Sequence, residues 1–371
     1  MVHFLHTADW QIGSRFGQFS AEEAALLGEA RFEAVEKIAA LATERQVQAV
    51  LVAGDVFDQQ TVSDRVIRRL FGALAGYAGT WVMIPGNHDA GLAESVWTRA
   101  AALDCVPSNV HVCLKPMVVE VGDCAVLAAP LAQRHTMDDV TAVFDDMATA
   151  PGIVRVGLSH GCVAERLPEG IEATNPIAAD RCARAGLDYL ALGDWHGMFQ
   201  IDDRTWYSGT PETDRFTNNA SGMLLEVRIA APGSVPEVTP HRSSKYTWQR
   251  WDETLAVASD VDVLAGRLAS LGARDVLMLK ADGGVDLAGH RALEQAIETA
   301  AARVRALRHD LSGLRFLPTD ADLAALGARG GYLAGAVERL RAEQEIPAER
   351  AAATEALLLL ARFQQALGAR Q

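Results

Sequence analysis

The stretch "VLVAGDVFD", residues 50–58, indicates the fold class of this chain. Its apolar residues end a run that begins at Val47, which predicts a buried strand, and Asp55 follows the strand after a single glycine. Four further apolar strands end in the same way, in polar residues that can bind a metal ion. Near-continuous apolar strands that alternate with helices predict an α/β fold whose sheet is covered on both faces. In such folds the functional site lies at the carboxyl ends of the strands.

The alternation of strands and helices runs through the first 225 residues. The predicted strands are Val2–Thr7, Val47–Ala53, Trp81–Ile84, Ala125–Ala129, Val154–Ser159 and Tyr189–Leu192, and the predicted helices are Ser20–Arg45 and Ser63–Tyr77. The stretch "AAPGSVPEVTP" at 230–240 reads as a connector. The predicted elements after it are a strand at Val276–Ala281, a helix at Leu287–Ala300, a strand at Arg303–Leu311 and a last helix at Pro347–Leu367. We therefore expect a catalytic domain over 1–228, a small α/β module over 229–315 and a C-terminal helical segment over 316–371.

Composition narrows the class of protein. The net charge is −14, of which −13 falls on residues 1–225, so the general basic footprint of a nucleic-acid-binding protein is absent. An acidic surface favours solubility, and bound divalent cations would offset part of it. The sequence has no apolar run of about 18 residues and no pattern of a signal peptide. The five cysteines show no paired spacing. We therefore expect a cytoplasmic protein with reduced thiols and no membrane partner.

The strand-end residues are oxygen and imidazole donors, and none of them is a thiolate. In chain order they are Asp9, Gln11, Asp55, Asp58, Asn87, His88, Asp89, His160, Asp194 and His196. Such a set suits Mn²⁺, Mg²⁺ or Fe better than a structural zinc ion. A strand-end acid alone is ordinary turn chemistry, but five such loops together predict one convergent site.

The motifs "GDVFD", "GNHD", "SHG" and "GDWH", in this order after Asp9, resemble those of the calcineurin-type binuclear metallophosphoesterases. The stretches "HTADW", "VLVAGDVFD" and "WYSGTPETDRF" (Trp206–Phe216) are similar to the branch of SbcD-type DNA repair nucleases. The resemblance covers roughly residues 1–216. It implies a two-sheet metallophosphoesterase sandwich flanked by helices, with the small α/β module as a capping domain and helices at the C-terminus.

The resemblance also implies roles for the site residues. The implied metal ligands are Asp55 as the bridge between two ions, Asp9, Gln11 and His196 on the first ion, and Asn87, His160 and Asp194 on the second. His88 would be the catalytic histidine that faces the scissile phosphate, and Asp89 would orient it. A hydroxide that bridges two cations would then attack phosphorus, and an imidazolium would protonate the leaving group or stabilise the oxyanion.

Two positions depart from the pattern of that family. Gln11 stands where Asp-x-His has its histidine, and Asp194 replaces the first histidine of Gly-His-x-His. Both replacements keep a donor atom and make the site richer in oxygen, which predicts a working variant that prefers Mn²⁺. The alternative for Gln11 is a backbone hydrogen bond that leaves water on the metal. The alternative for Asp194 is to accept a hydrogen bond from a ligand.

These features lead to three hypotheses of function. The first is an Mn²⁺-dependent phosphodiesterase with two Mn²⁺ ions that cleaves DNA, as an endonuclease on single strands; Mg²⁺ and Fe are the alternative metals. The second is a phosphatase or small-molecule phosphodiesterase, because the cap sets the substrate on such a site. The third is a scaffold with a decayed site. SbcD-type proteins dimerise and act as exonuclease subunits with an SMC-like ATPase, and the apolar stretch "ALLLLARF" (356–363) would serve that contact or the core of the chain itself.

Overall fold

The computed structural model describes residues 1–163, 166, 174–317 and 332–368, and it divides into two compact units, Met1–Lys245 and Tyr246–Gln371. The strands of the first unit are β1 Val2–Thr7, β2 Ala49–Ala53, β3 Thr80–Ile84, β4 Val110–Val112, β5 Met117–Val121, β6 Cys124–Ala129, β7 Val154–His160, β8 Cys162–Val163, β9 Pro176–Ile177, β10 Tyr189–Gly193, β11 Phe199–Gln200, β12 Thr205–Tyr207, β13 Met223–Ile229 and β14 Glu237–Arg242. Its helices are α1 Ala21–Arg45, α2 Asp64–Ala73, α3 Val96–Ala102 and α4 Arg181–Arg184.

The first unit contains two six-stranded sheets, ordered β14-β13-β1-β2-β3-β4 and β11-β12-β10-β7-β6-β5. Strands β1 to β4 are parallel to one another, and so are β6, β7, β10 and β12, while β5, β11, β13 and β14 pair antiparallel with their neighbours. Apolar residues from both sheets form one buried cluster, which includes Phe4, Leu51, Ile84, Val156 and Ala191. The predicted α/β class with two sheets flanked by helices is confirmed. The carboxyl ends of β1, β2, β3, β7 and β10 carry the strand-end motifs.

Helix α1 shows how the sequence specifies a covering helix. Ser20, where the predicted helix begins, caps its N-terminus in a capping box with Glu23. Its apolar stripe is buried, because Phe32, Val35 and Ile38 pack in a second buried cluster with side chains of the sheet that contains β1 to β4. Packing of this stripe covers the outer face of that sheet.

The predicted connector at 230–240 is wrong as a link between domains. Strands β13 and β14 pair antiparallel, from Met223 with Arg242 to Arg228 with Glu237, so residues 230–236 are a loop within the first sheet. The expected domain boundary after residue 228 therefore falls inside β13. The stretch misleads because β14 is a half-exposed edge strand that contains Pro240, which edge positions tolerate.

The described residues of the second unit form three parallel strands, in the order β15 Thr247–Leu255, β16 Asp275–Val285 and β17 Ala306–Phe316. Helices α5 Ala258–Ser270 and α6 Leu287–Ala301 connect them, and their apolar faces share a buried cluster with the sheet. Helices α7 Tyr332–Glu343 and α8 Arg350–Gly368 follow. That this unit caps the site stays a prediction.

Helix α8 contains the stretch "ALLLLARF". Leu357 and Leu358 are buried beside Phe316 and Val337, so this part of the stretch belongs to the core of the second unit itself. Leu359 and Phe363 are 41% and 65% exposed. The described helices include none that is both long and apolar enough to cross a membrane.

Candidate metal centre

The strand ends of both sheets meet at one buried site. Ligand atoms of Asp9 at the end of β1, Asp55 after β2 and His160 at the end of β7 lie within 4.8 Å of one another. All three side chains are at most 2% exposed. The structure thus brings together residues that are 151 positions apart in sequence, as the convergence of the strand ends predicts.

The backbone of this site is strained. Asp9, Gln11, Asp55 and Asp194 have φ values of 54°, 48°, 52° and 102°. Positive φ is uncommon for residues other than glycine and concentrates at functional sites. Hydrogen bonds between loops, from Asp9 N to Gly54 O at 3.0 Å and from Gln11 N to Asp55 O at 2.9 Å, hold these turns in place.

Two glycines make room for the ligands. A Cβ atom on Gly86 would collide with the Asp55 carboxylate, and one on Gly193 would collide with the Ala53 carbonyl oxygen. The loops therefore approach each other more closely than any residue with a side chain allows.

Asp55 lies at the centre of the described contacts. Its carboxylate accepts a hydrogen bond from Gln11 Nε2 at 2.7 Å and another from the His88 backbone N–H at 2.9 Å. The same carboxylate lies 3.6 Å from His160 Nε2. This central position fits the bridging role that the sequence predicts for Asp55.

The amide of Gln11 tests whether a cation fits this site. Gln11 is 2% exposed, and its Oε1 is a buried acceptor without a hydrogen-bond partner among the described residues. A buried polar atom without a partner costs about 1–3 kcal/mol, and a cation would satisfy it. The amide oxygen and nitrogen exchange places by a half-turn of the group, so Oε1 can reach the side of Asp55 where Nε2 now lies. Together with the carboxylates and imidazoles, this unpartnered oxygen fits a divalent metal.

The side of the site around His160 contains Asn87 and Asp194. Nδ1 of His160 donates to the Ala53 carbonyl at 2.8 Å, so Nε2 faces Asn87 Oδ1 at 3.2 Å and Asp194 Oδ1 at 3.6 Å. Burial lowers the pKa of His160, but Asp55 and Asp194 outweigh burial and raise it to about 10. The carboxylates hold a positive charge at this position, and a metal ion would replace the proton.

The opposite side contains His196. Its Nδ1 lies 2.8 Å from Asp214 Oδ2, and Arg215 Nη2 lies 2.9 Å from the same nitrogen and 3.1 Å from the same carboxylate oxygen. We infer that Nδ1 carries a proton and donates it to the Asp214 carboxylate, which leaves the Nε2 lone pair able to bind a metal ion. Burial raises the pKa of Asp214, but His196 and Arg31 outweigh this effect and hold it well below its usual range.

The sequence does not predict roles for Asp214 and Arg31. The Arg31 guanidinium is buried on α1, where it donates to the Trp10 carbonyl at 2.8 Å and lies 3.4 Å from Asp214 Oδ2. A signal was present, because Arg31 occupies a core-facing position between Leu27 and Val35, where a charged residue needs a partner. Asp214 lies in the quoted stretch "WYSGTPETDRF".

His88 and Asp89 take different positions from those of the predicted metal ligands. His88 Nδ1 donates to the Asp58 carbonyl at 2.8 Å, and its side chain is 35% exposed, with Nε2 4.0 Å from Asp55 Oδ2. The Asp89 carboxylate accepts hydrogen bonds from the backbone of Gly86 and Phe57 at 2.7 and 3.1 Å. In the described structure, therefore, the Asp58 carbonyl orients the His88 ring, and Asp89 holds the loops on either side.

Burial also affects the acids of the site. It raises the pKa of Asp9 to about 6 and that of Asp89 to about 7, with the negative charge of Asp55 adding to both effects. The Asp194 backbone N–H donates to the Asp9 carboxylate at 3.1 Å. The carboxylates of Asp9 and Asp55 are thus packed close together and out of water, as at a cation site.

The aromatic residues beside the motifs pack in the core. Trp10 is 1% exposed, donates from Nε1 to Thr7 Oγ1 at 2.9 Å and stacks edge-on against Trp81. The Tyr207 hydroxyl donates to the Gly161 carbonyl at 2.7 Å, which positions the loop after His160. Packing, rather than stacking on a base, accounts for both.

The calcineurin-like phosphoesterase family model matches residues 2–140. The chain is 39% identical over 95 residues to the SbcD component of the SbcCD nuclease of Rhodobacter capsulatus, a match that covers 24% of this chain and 22% of that protein. It is 26% identical over 206 residues to the uncharacterized metallophosphoesterase YhaO of Bacillus subtilis, over 52% of this chain and 48% of that protein. The matched segments thus span about a fifth and about half of these relatives.

A solved structure, TT1561 of Thermus thermophilus, is similar with a TM-score of 0.41 and 13% identity, over 65% of this chain and 99% of that one. The family match covers the strand ends that carry Asp9, Asp55, Asn87 and His88. The match to that family model covers 139 of the 371 residues, all of them in the first unit.

Proposed function

We propose that this chain is an Mn²⁺-dependent phosphodiesterase that cleaves DNA, as an endonuclease on single strands. The observation that carries the proposal is the buried cluster of Asp9, Asp55 and His160, with the partly exposed imidazole of His88 beside it. A cluster of hard donors next to a solvent-accessible acid–base group is what hydrolysis of a phosphoester requires.

Seven residues would hold two Mn²⁺ ions. They are Asp9, Gln11 and His196 on one side, Asn87, His160 and Asp194 on the other, and Asp55 between them. When bound, the two ions supply neutralisation of the phosphate charge and a lower pKa for bound water. The oxygen donors Gln11 and Asp194 favour Mn²⁺ or Mg²⁺ over softer metals.

His88 is the proposed general acid. Its Nδ1 proton is fixed on the Asp58 carbonyl, so Nε2 is the atom that faces substrate. The half-exposed ring can deliver a proton from Nε2 to the leaving oxygen of the ester or stabilise charge that develops there. Asp89 supports this role indirectly by holding the loop that contains His88.

The choice of DNA rests on the similarity of residues in the first unit to a protein named as part of a nuclease. An SMC-like ATPase and a second copy of the chain are the proposed protein partners, and the exposed Leu359 and Phe363 of α8 are apolar groups that such contacts would cover.

The net charge of −13 over residues 1–225 favours a second candidate, a phosphatase or small-molecule phosphodiesterase, because an acidic unit repels a long polyanion. On a working site, the relative rates on a monoester and a diester separate the two candidates.

The test compares the wild type with His88→Ala and with His111→Ala, a matched change at an exposed histidine on β4. Each protein is assayed with Mn²⁺ on single-stranded DNA, duplex DNA, bis(p-nitrophenyl) phosphate and p-nitrophenyl phosphate. We expect turnover of single-stranded DNA and the diester, a loss of about 10²–10⁴-fold in kcat for His88→Ala, and no change for His111→Ala.

Bound manganese is measured in the same samples by elemental analysis. Turnover of the monoester alone would support the phosphatase instead. Two bound ions without turnover of any substrate would overturn the proposal.

A further inference from the structure

We propose that a cleft beside His88 binds the nucleotide unit next to the scissile phosphate, and that Arg134 binds the phosphate of that unit. This inference rests on the proposed function and names its substrate class, a polynucleotide strand rather than an ester with one phosphate. It follows from the shape, charge and contacts of the cleft.

The cleft borders the candidate metal centre at Asn87 and His88. It has a volume of about 430 Å³, and Asn87 and His88 form part of its wall together with residues 58–61, Ala90, Leu92 and Arg134. Sites for small organic ligands have volumes of about 300–1,000 Å³, so the cleft has room for one nucleotide unit. A phosphoester held at His88 would extend one of its substituents into this space.

The wall of the cleft is rigid. Gln60 uses both ends of its amide within the protein, as Nε2 donates to the Ala90 carbonyl at 2.9 Å and Oε1 accepts from the Val96 N–H at 2.8 Å. Arg99 donates to the Gln60 carbonyl at 3.1 Å. The cleft is therefore formed before a ligand enters, which lowers the entropic cost of binding.

Arg134 is the one lysine or arginine among the lining residues. Its side chain is exposed, and within the described ranges its guanidinium has no hydrogen bond or ion pair, unlike those of Arg31, Arg99 and Arg155. The planar guanidinium matches phosphate oxygens in two-pronged geometry, so it is available to bind a phosphate in the cleft.

The remaining lining groups suit a sugar and a base. Thr61 Oγ1 and Gln59 Oε1 lie 3.3 Å apart as exposed polar groups, and Leu92 is 40% exposed as an apolar surface. Asp58 is the acid of the cleft, so a polyanion enters only if Arg134 offsets that charge. The cleft thus has a group for a phosphate, polar groups and an apolar surface, which match the phosphate, sugar and base of a nucleotide unit.

The experiment compares two substrates with Mn²⁺. One is a twelve-residue thymidine oligonucleotide, and the other is thymidine 5′-(p-nitrophenyl phosphate), which has only the scissile phosphate. The variants are Arg134→Ala, Arg134→Lys and the control Arg184→Ala, which removes another exposed arginine of the first unit whose ion-pair distances are 3.9 Å.

We expect Arg134→Ala to raise KM for the oligonucleotide about tenfold, to leave kcat within twofold and to reduce the salt slope of binding by about one. Rates on the single-phosphate ester should not change. Arg134→Lys should recover part of the loss, and Arg184→Ala should match the wild type. Equal losses on both substrates, or no loss on either, would overturn the proposal.

Failure of the proposed function gives a different result. If the wild type cleaves neither substrate, binding of the fluorescein-labelled oligonucleotide, measured by anisotropy, still tests the cleft. Weaker binding by Arg134→Ala than by Arg184→Ala supports the cleft as a nucleotide site. Equal binding by the two variants excludes it.

Discussion

Two buried histidines, His6 and His160, lie close to the same strand ends, but their pKa values are shifted in opposite directions. Each is fully buried, and each hydrogen-bonds a backbone carbonyl, His6 that of Leu192 at 3.1 Å and His160 that of Ala53 at 2.8 Å. Burial lowers the pKa of His6 to about 3. The pKa of His160 is instead raised to about 10, because Asp55 and Asp194 outweigh the effect of burial.

The difference shows that the neighbouring charges, and not burial, make an imidazole part of the site. The other contact of His6 is the Tyr189 hydroxyl at 3.0 Å, so His6 joins β1 of one sheet to β10 of the other as a neutral group. His160 faces the carboxylates of Asp55 and Asp194, each 3.6 Å from its Nε2. His196 follows His160 in this respect, because Asp214 lies on its Nδ1.

The largest expected effect on Mn²⁺ affinity distinguishes His160 from His6. His160→Gln should weaken Mn²⁺ binding by more than about 100-fold. Loss of a residue that only hydrogen-bonds to a metal ligand costs up to about 100-fold, and loss of the ligand itself should cost more. His6→Gln should keep Mn²⁺ binding within about twofold, because His6 faces a hydroxyl and a carbonyl. Mn²⁺ titration followed by electron paramagnetic resonance measures both.

Circular dichroism spectra that match the wild type are the control for folding of each variant. If His6→Gln loses as much Mn²⁺ affinity as His160→Gln, the distinction between a structural and a ligand histidine does not hold.

A smaller effect on Mn²⁺ affinity is expected for Asp214, which contacts the proposed ligand His196 and not an ion. Asp214→Asn removes the charge that fixes the proton of His196 and leaves the buried Arg31 with a weaker partner. We expect Mn²⁺ affinity to fall about 10–100-fold, as for outer partners of metal-binding histidines. Asp203→Asn, a change at an exposed acid of the same unit, should leave it unchanged. An unaltered affinity in Asp214→Asn would show that the backbone alone orients His196.

The sequence predicts the ligand cluster because every ligand follows an apolar strand. Parallel strands bring their carboxyl ends together, so Asp9, Asp55 and His160 become neighbours whatever the details of the loops. The short edge strands and the hairpin of β13 and β14 are not predicted, because half-exposed edge strands lack a continuous apolar pattern.

The support of the ligands is harder to predict from sequence. Arg31 and Asp214 meet across 183 positions, and no periodic pattern links a helix residue to a loop residue. The Asp58 and Ala53 carbonyls orient His88 and His160, and backbone oxygens have no residue type that a sequence could show. Candidate side-chain ligands can therefore be predicted from the residues at strand ends. The groups that orient them can be identified only in the structure.

The neutral state of His6 predicts how stability depends on pH. Below pH 6.5 the unfolded chain binds a proton at His6, but the folded chain does so only near its pKa of about 3. Stability is therefore lost as the pH falls through this window, by about 2 kcal/mol from this group between pH 6.5 and 5. Urea unfolding of His6→Gln should show a shallower loss over that range than the wild type. His111→Gln, at an exposed histidine, should match the wild type, and a wild-type slope in His6→Gln would contradict the assignment.

The smallest expected effect concerns Gln11, whose Nε2 donates to Asp55 at 2.7 Å while its buried Oε1 has no partner in the part of the chain that the structure describes. If Oε1 turns to a metal ion, Gln11→His keeps a donor atom and should change Mn²⁺ affinity by less than about tenfold, while Zn²⁺ affinity rises because imidazole is the softer ligand. Gln11→Leu removes the donor atom and should lower Mn²⁺ affinity more than Gln11→His does. Competition between Mn²⁺ and Zn²⁺ in calorimetric titrations measures these differences. Wild-type Mn²⁺ affinity in Gln11→Leu would show that Gln11 holds the Asp55 carboxylate without binding metal, which would leave the two sides of the site with unequal ligand sets.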